Sequence, residues 1–314
     1  MRNKSNCVYT PVIANIIKKT KIHAGLVFIV ILNACGQDKA PQRTNNQHIS
    51  PASGPGISQN ETIPINPEGL TLETRIIPPE GFQRKPAQER SFSAYLRNLP
   101  LKPHGEEVKL YNGNTKPNYN IYDAVVDLDI GEKDLHQCAD AVMRLRAEFL
   151  WAQKQYDKIH FNFTNGFRVD YSEWMKGKRI AVKGNKTFWA EGGATSNSHQ
   201  DFWEYLEIIF NYSGTLSLAK ELTPVSITDL EIGDVFIQGG SPGHAVIVVD
   251  LAFNSQTNKK IFLLAQSFMP AQEIQILKNP HNSKISPWYL SDFGAVLTTP
   301  EWTFSKTDLK RFEE

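Results

Sequence analysis

Apolar residues recur at helical spacing in two long stretches of the chain and run on or alternate in several short ones. The stronger stripe spans 134–154, with Leu135, Cys138, Ala139, Val142, Leu145 and Phe149 on one face. Asp134 with Gln137 three positions later reads as a capping box, which predicts that the helix begins there. The second stripe spans 198–210, where Ser198 and Asp201 form the cap and Phe202, Leu206 and Ile209 the apolar side. A shorter helix is expected over 91–99 from Phe92, Leu96 and Leu99. Strand-like runs occupy 108–111, 124–128, 160–163 and 167–171, and then 235–238, 245–251, 261–267 and 274–277. Helices in the first half and turn-linked strands in the second predict an α+β domain with an antiparallel sheet.

The N-terminal pattern is different. Lys18, Lys19, Lys21 and His23 precede an apolar run at 24–32, and Asn33-Ala34-Cys35-Gly36 follow. The run is well short of the ~18–20 residues that span a bilayer. A basic region, a short apolar stretch and a small residue describe a secretory signal peptide, assigned to 1–34. Residues 36–69 are rich in Gln, Asn, Pro, Ser and Gly and read as a disordered tether. From Leu70 to the end, 70–314, the pattern is that of one globular domain.

Leu32-Asn33-Ala34-Cys35 resembles the bacterial lipobox. That resemblance implies that the Cys35 thiol takes a diacylglyceryl group and that Cys35 becomes the mature N-terminus. Several acyl chains on one residue make a stable anchor, so the implied partner is a membrane held through Cys35. No acidic residue directly follows Cys35. By resemblance to Gram-negative lipoproteins, this places the protein in the cell envelope at the outer membrane.

A net charge of +1 gives no argument for nucleic acid as a partner. With 40% hydrophobic and 11% aromatic residues the chain can bury a large core. The three cysteines are more informative: Cys7 lies in the leader, Cys35 is assigned to lipid, and Cys138 remains alone. An exported chain therefore keeps one thiol that has no internal disulfide partner.

Candidate chemistry gathers around that thiol. Cys138 falls in the first turn of the long helix, where exposed amides and the helix dipole favour a thiolate. In the second half, Leu230-Glu231-Ile232-Gly233-Asp234-Val235 opens a strand, Gly239-Gly240-Ser241-Pro242-Gly243 turns it, and His244 begins the apolar strand after it. The turn at 254–258 folds the next strand back, bringing Gln266 close to His244. A register slip of one would bring Ser267 instead.

This layout resembles the papain-like cell-wall peptidases and amidases of the NlpC and CHAP groups, on Gly233-Asp234, Gly243-His244 and a Cys at a helix start. The resemblance implies a papain-like fold in which Cys138 is the nucleophile, His244 the general base and Gln266 the residue that orients the ring. Gln137 and the Cys138 amide are candidate oxyanion donors. The run Gln137-Cys138-Ala139-Asp140 departs from the Asp-Cys-Ser-Gly usual in the NlpC group. Taken over the whole domain, the chain is similar to an uncharacterised family of bacterial envelope lipoproteins.

The reading that follows is an envelope thiol hydrolase or transferase acting on amide bonds, with peptidoglycan peptides as substrate. Its alternative is a non-catalytic lipoprotein that binds a peptide or glycan on the same fold. A third reading makes Cys138 a small core residue in a structural envelope component. No cofactor is expected, and the eight His residues, His136 included, show no metal-ligand spacing. The aromatics Phe161, Phe163, Phe167, Tyr171, Trp174 and Trp189 read as core packing before a glycan platform.

Overall fold

The computed structural model describes residues 65–313. Cys35, the leader and most of the tether lie outside the described residues. In chain order the first elements are α1 (Leu72–Arg75), β1 (Gln83–Arg84), α2 (Phe92–Arg97), β2 (Tyr122–Val125) and α3 (Cys138–Ala152). A middle section holds β3 (His160–Asn162), β4 (Arg168–Asp170), α4 (Tyr171–Met175), β5 (Lys178–Lys183), β6 (Lys186–Glu191), α5 (His199–Tyr212) and α6 (Thr215–Glu221). Strands dominate the rest: β7 (Thr223–Pro224), β8 (Val235–Gln238), β9 (His244–Asn254), β10 (Lys259–Gln266) and β11 (Gln275–Leu277). The last are β12 (Tyr289–Leu290), β13 (Val296–Thr298), β14 (Thr303–Ser305) and β15 (Leu309–Arg311). The architecture is α+β, as the pattern predicts. Among the described residues no helix is long and apolar enough to cross a membrane.

The hairpin β9–β10 is apolar on both sides and is therefore buried on both. It lies at the middle of a nine-stranded antiparallel sheet ordered β2-β11-β10-β9-β8-β15-β7, with β1 and β12 at the ends of β9 and β10. One face, with Ala245, Ile247 and Val249, packs on Ala139, Val142 and Leu145 of α3. The other, with Val246, Val248, Phe262 and Leu264, is covered by Leu297 and Phe304 from the β13–β14 hairpin. The helix thus sits on one side of His244's strand and the small hairpin on the other.

Two boundaries differ from the sequence pattern for identifiable reasons. The long helix begins at Cys138 because Asp140, not Asp134, meets its first turn: the Asp140 carboxylate accepts the Gln137 amide at 3.0 Å. Asp134 instead accepts from the Ala271 amide at 2.7 Å and straps the preceding loop to the sheet. Ordered packing also starts before Leu70, since Ile65 bridges Ile76 and the buried Arg75 guanidinium donates to the Gly69 carbonyl. The run at 108–111 makes isolated bridges, Lys109 to Thr115 and Leu110 to Gln272, in place of a regular strand. The aromatics Phe161, Phe163, Tyr171 and Trp174 are buried in the main core, with Phe167 and Trp189 packed against it.

Candidate active site

Gln266 is carried to His244 by an irregularity in the hairpin. Along most of β9–β10 the pairing runs Ile261 to Ala252, Phe262 to Leu251 and Leu263 to Asp250. A bulge follows, after which Leu264 pairs with Val248 and Ala265 with Ile247. A one-residue slip exchanges the two faces of a strand. Continued past the bulge, the register sets Gln266 opposite Val246, on the same face as His244. Without it, Ser267 would hold that face. Ser267 instead points the other way, its hydroxyl donating to the carbonyls of His136 and Gln272.

The resulting contact is a 2.9 Å hydrogen bond between His244 Nε2 and Gln266 Oε1, both residues being buried. Gln266 Nε2 in turn donates to Glu301 Oε2 at 2.7 Å. Glu301 accepts from the buried Lys116 ammonium, at 3.0 Å on Oε1 and 2.9 Å on Oε2. Phe268, Trp302 and Phe304 enclose the imidazole, with ring centroids 5.0, 5.4 and 6.0 Å away. Burial in this aromatic setting pushes the His244 pKa down to about 4; the Gln266 bond raises it and nearby Lys116 lowers it further. The ring is neutral at physiological pH.

Cys138 occupies the first position of α3, at the same end of β9. Its sulfur lies against the backbone amide of Ala245, the residue next to His244. No hydrogen bond joins the sulfur to the imidazole among the described residues: α3 packs on the Ala245 face of β9, whereas the imidazole lies on the opposite, Val246 face with Trp302 and Phe304. The expected thiolate is not what the surroundings favour: burial pushes the Cys138 pKa up to about 11, and Asp140 adds to the rise. The amides of Ala139, Ala245 and Cys138 pull it back without reversing it. Desolvation outweighs the helix start because only 8% of the residue is exposed. Gln137 Nε2 donates to Asp134 Oδ1 at 3.2 Å, so of the two oxyanion candidates it is the one committed away from the sulfur.

A shallow cavity of about 490 Å³, lined by Gln238, Thr299, Pro300, Glu301, Trp302 and Thr303 but by neither His244 nor Cys138, lies beside this end of the sheet. Gln238 is the strand partner of His244, and Trp302 Nε1 donates to its side chain at 3.0 Å. The β13–β14 turn therefore forms both the wall of the cavity and the cover over the imidazole. Glu301, Lys116 and Trp302 carry no sequence signal, since each reaches the site from a loop far along the chain. Among the described residues no group of His, Cys, Asp and Glu is placed to hold a metal ion.

A thiol pushed up to about 11 holds about 100-fold less thiolate at neutral pH than a free cysteine. Iodoacetamide at pH 7.5 should accordingly label Cys138 about 100-fold more slowly in the folded protein than in urea. Labelling in the folded state at the rate of the unfolded chain, or faster, would contradict the burial argument.

A family model described as a domain of unknown function (4846) matches residues 72–311. No curated protein and no solved structure matches the chain.

Proposed function

The chain belongs to the DUF4846 family, whose description assigns no activity, and from the site itself we propose a papain-like thiol hydrolase or transferase acting on amide bonds. The observation that carries this reading is the 2.9 Å bond from His244 Nε2 to Gln266 Oε1 at the end of β9 where Cys138 begins α3. It leaves Nδ1 as the ring's basic nitrogen. The substrate class is the peptide stem of peptidoglycan, and the protein works in the envelope, anchored by lipid on Cys35 at the outer membrane.

The neutral resting pair sets the order of events. Cys138 Sγ attacks the amide carbonyl while its proton is carried around the strand end to His244 Nδ1 by an intervening water, because the imidazole rests on the face of β9 opposite α3; no ion pair has to exist beforehand. The carbonyl oxygen takes the displaced electron pair and faces the Cys138 amide at the helix N-terminus. Collapse of the tetrahedral intermediate breaks the C–N bond, and His244 returns the proton to the leaving amine. Water, or an acceptor amine in transfer, then attacks the thioester as His244 takes its proton; the C–S bond breaks, and His244 returns the proton to the Cys138 sulfur. Gln266 stabilises the imidazolium by holding its Nε2–H.

Digestion of purified peptidoglycan should release new amino groups with the wild type and fall to background, by about 100-fold or more, with Cys138→Ala and with His244→Gln. Equal release by wild type and Cys138→Ala would remove the catalytic reading. The near-complete burial of Cys138 favours a second one, in which the fold binds a peptide or glycan without turning it over. In that case Cys138→Ala would retain peptidoglycan fragments in co-sedimentation as well as the wild type, with no product from either.

A further inference from the structure

Resting on the reading of His244 as a base, we propose that Glu301, held by Lys116, is a positioning residue that sets the direction of the Gln266 amide and through it the tautomer of His244. The argument is one of donors and acceptors. A Lys ammonium can only donate, and an ionised carboxylate can only accept. Glu301, gripped at both oxygens by Lys116, must therefore receive a proton donor from Gln266. Gln266 meets that demand only with its NH2 group, which commits its carbonyl oxygen to His244. An amide oxygen cannot donate, so His244 Nε2 must carry the hydrogen and Nδ1 must carry the lone pair.

The direction of the relay is fixed because three of its members, Lys116, Gln266 and His244, are closed to solvent, so at the Gln266–His244 bond no bulk water can stand in for a mismatched partner. The backbone holds Glu301 in place too. Its turn is closed by the Thr299 amide donating to the Trp302 carbonyl at 2.8 Å and by the Trp302 amide donating to Thr299 Oγ1 at 3.1 Å. Lys116 is fixed from its own loop by its amide bond to the Val108 carbonyl at 2.9 Å, and its ammonium stands 5.3 Å from the Phe268 ring that flanks His244. An amide that could rotate freely would serve either tautomer, and half of its settings would put a hydrogen on the nitrogen needed as base.

Glu301→Gln reads out this logic. Lys116 needs an oxygen, so it draws the new carbonyl to itself and turns the new NH2 toward Gln266. Gln266 then inverts and presents its own NH2 to His244 Nε2, which moves the imidazole hydrogen to Nδ1. Long-range proton–nitrogen correlation spectra of the purified, ¹⁵N-labelled protein at pH 7 report this directly, the His244 signals being identified by their loss in His244→Gln. The wild type should show the Nε2–H form, and Glu301→Gln should show Nδ1–H as the principal form. The double variant Lys116→Met with Glu301→Leu, which removes the buried ion pair at similar volume, should show a mixture of the two. An unchanged Nε2–H tautomer in both variants, or an Nδ1–H tautomer in the wild type, would overturn the proposal. A tautomer switch in a protein that releases nothing from peptidoglycan would support the relay and remove the hydrolase.

Discussion

Replacing Asp250 by Ala should cost the protein about 3–5 kcal/mol, the penalty for removing one partner from a buried ion pair. Asp250 sits inside β9 with no solvent exposure and holds two guanidinium groups at once. Arg84 Nε donates to one carboxylate oxygen at 2.6 Å, and Arg97 Nε to the other at 2.8 Å. The Leu251 amide donates to the carboxylate as well, at 2.8 Å. Arg84 comes from β1 and Arg97 from α2, so one side chain fastens two N-terminal elements to the central strand. Removing it strands Arg97 in a site where its side chain is only 5% exposed, and water cannot replace the lost charge. Arg97 would keep only its carbonyl contacts to Lys85 and Leu251. Urea unfolding followed by tryptophan fluorescence would measure the loss. A change below about 1 kcal/mol would mean that the cluster relaxes or hydrates freely, contrary to its packing. Asp250→Asn, which keeps an acceptor and the volume, should lose less.

The same strand shows how far the sequence could be read. Continuous apolar residues and the turn at 254–258 locate the β9–β10 hairpin closely, because both are local signals. The choice between Gln266 and Ser267 is not local. It depends on a bulge after Leu263, and the apolar runs around it, 247–249 and 263–265, give no pattern that marks it. The helix start is similar: Asp134 with Gln137 and Gln137 with Asp140 are both capping spacings, and the Asp134 contact with Ala271 that separates them spans 137 residues. The charge state of Cys138 fails to show for a different reason. Its place at a helix start is written in the sequence, but the desolvation that reverses the helix effect comes from strands a hundred residues away. Glu301 and Lys116 are 185 residues apart and meet only through the folded sheet.

Asp140→Asn should stabilise the protein at pH 8 by about 1–3 kcal/mol and do little at pH 4. Asp140 lies two residues past Cys138, buried, with Oδ2 on the Gln137 amide and Oδ1 without a partner. Burial raises its pKa to about 8, although the Gln137 and Asp140 amides lower it in part. An unfolded Asp ionises near 3.9. Below about pH 4 both states hold the proton and its contribution to stability is fully present. As pH rises toward 8 the unfolded chain releases a proton that the folded protein retains, so stability falls across this window and the deficit levels off above the folded pKa. Asn keeps an acceptor for the Gln137 amide and does not titrate. The difference between variant and wild type therefore isolates Asp140, since His136, pushed down to about 3, and Glu221, pushed up to about 7, titrate in both proteins. Melting temperatures from pH 4 to 9 should diverge with rising pH in favour of the variant, and parallel curves would refute the buried carboxyl. Above pH 8 the ionised Asp140 also opposes the Cys138 thiolate. The variant should therefore react faster with iodoacetamide there, with no such advantage at pH 6.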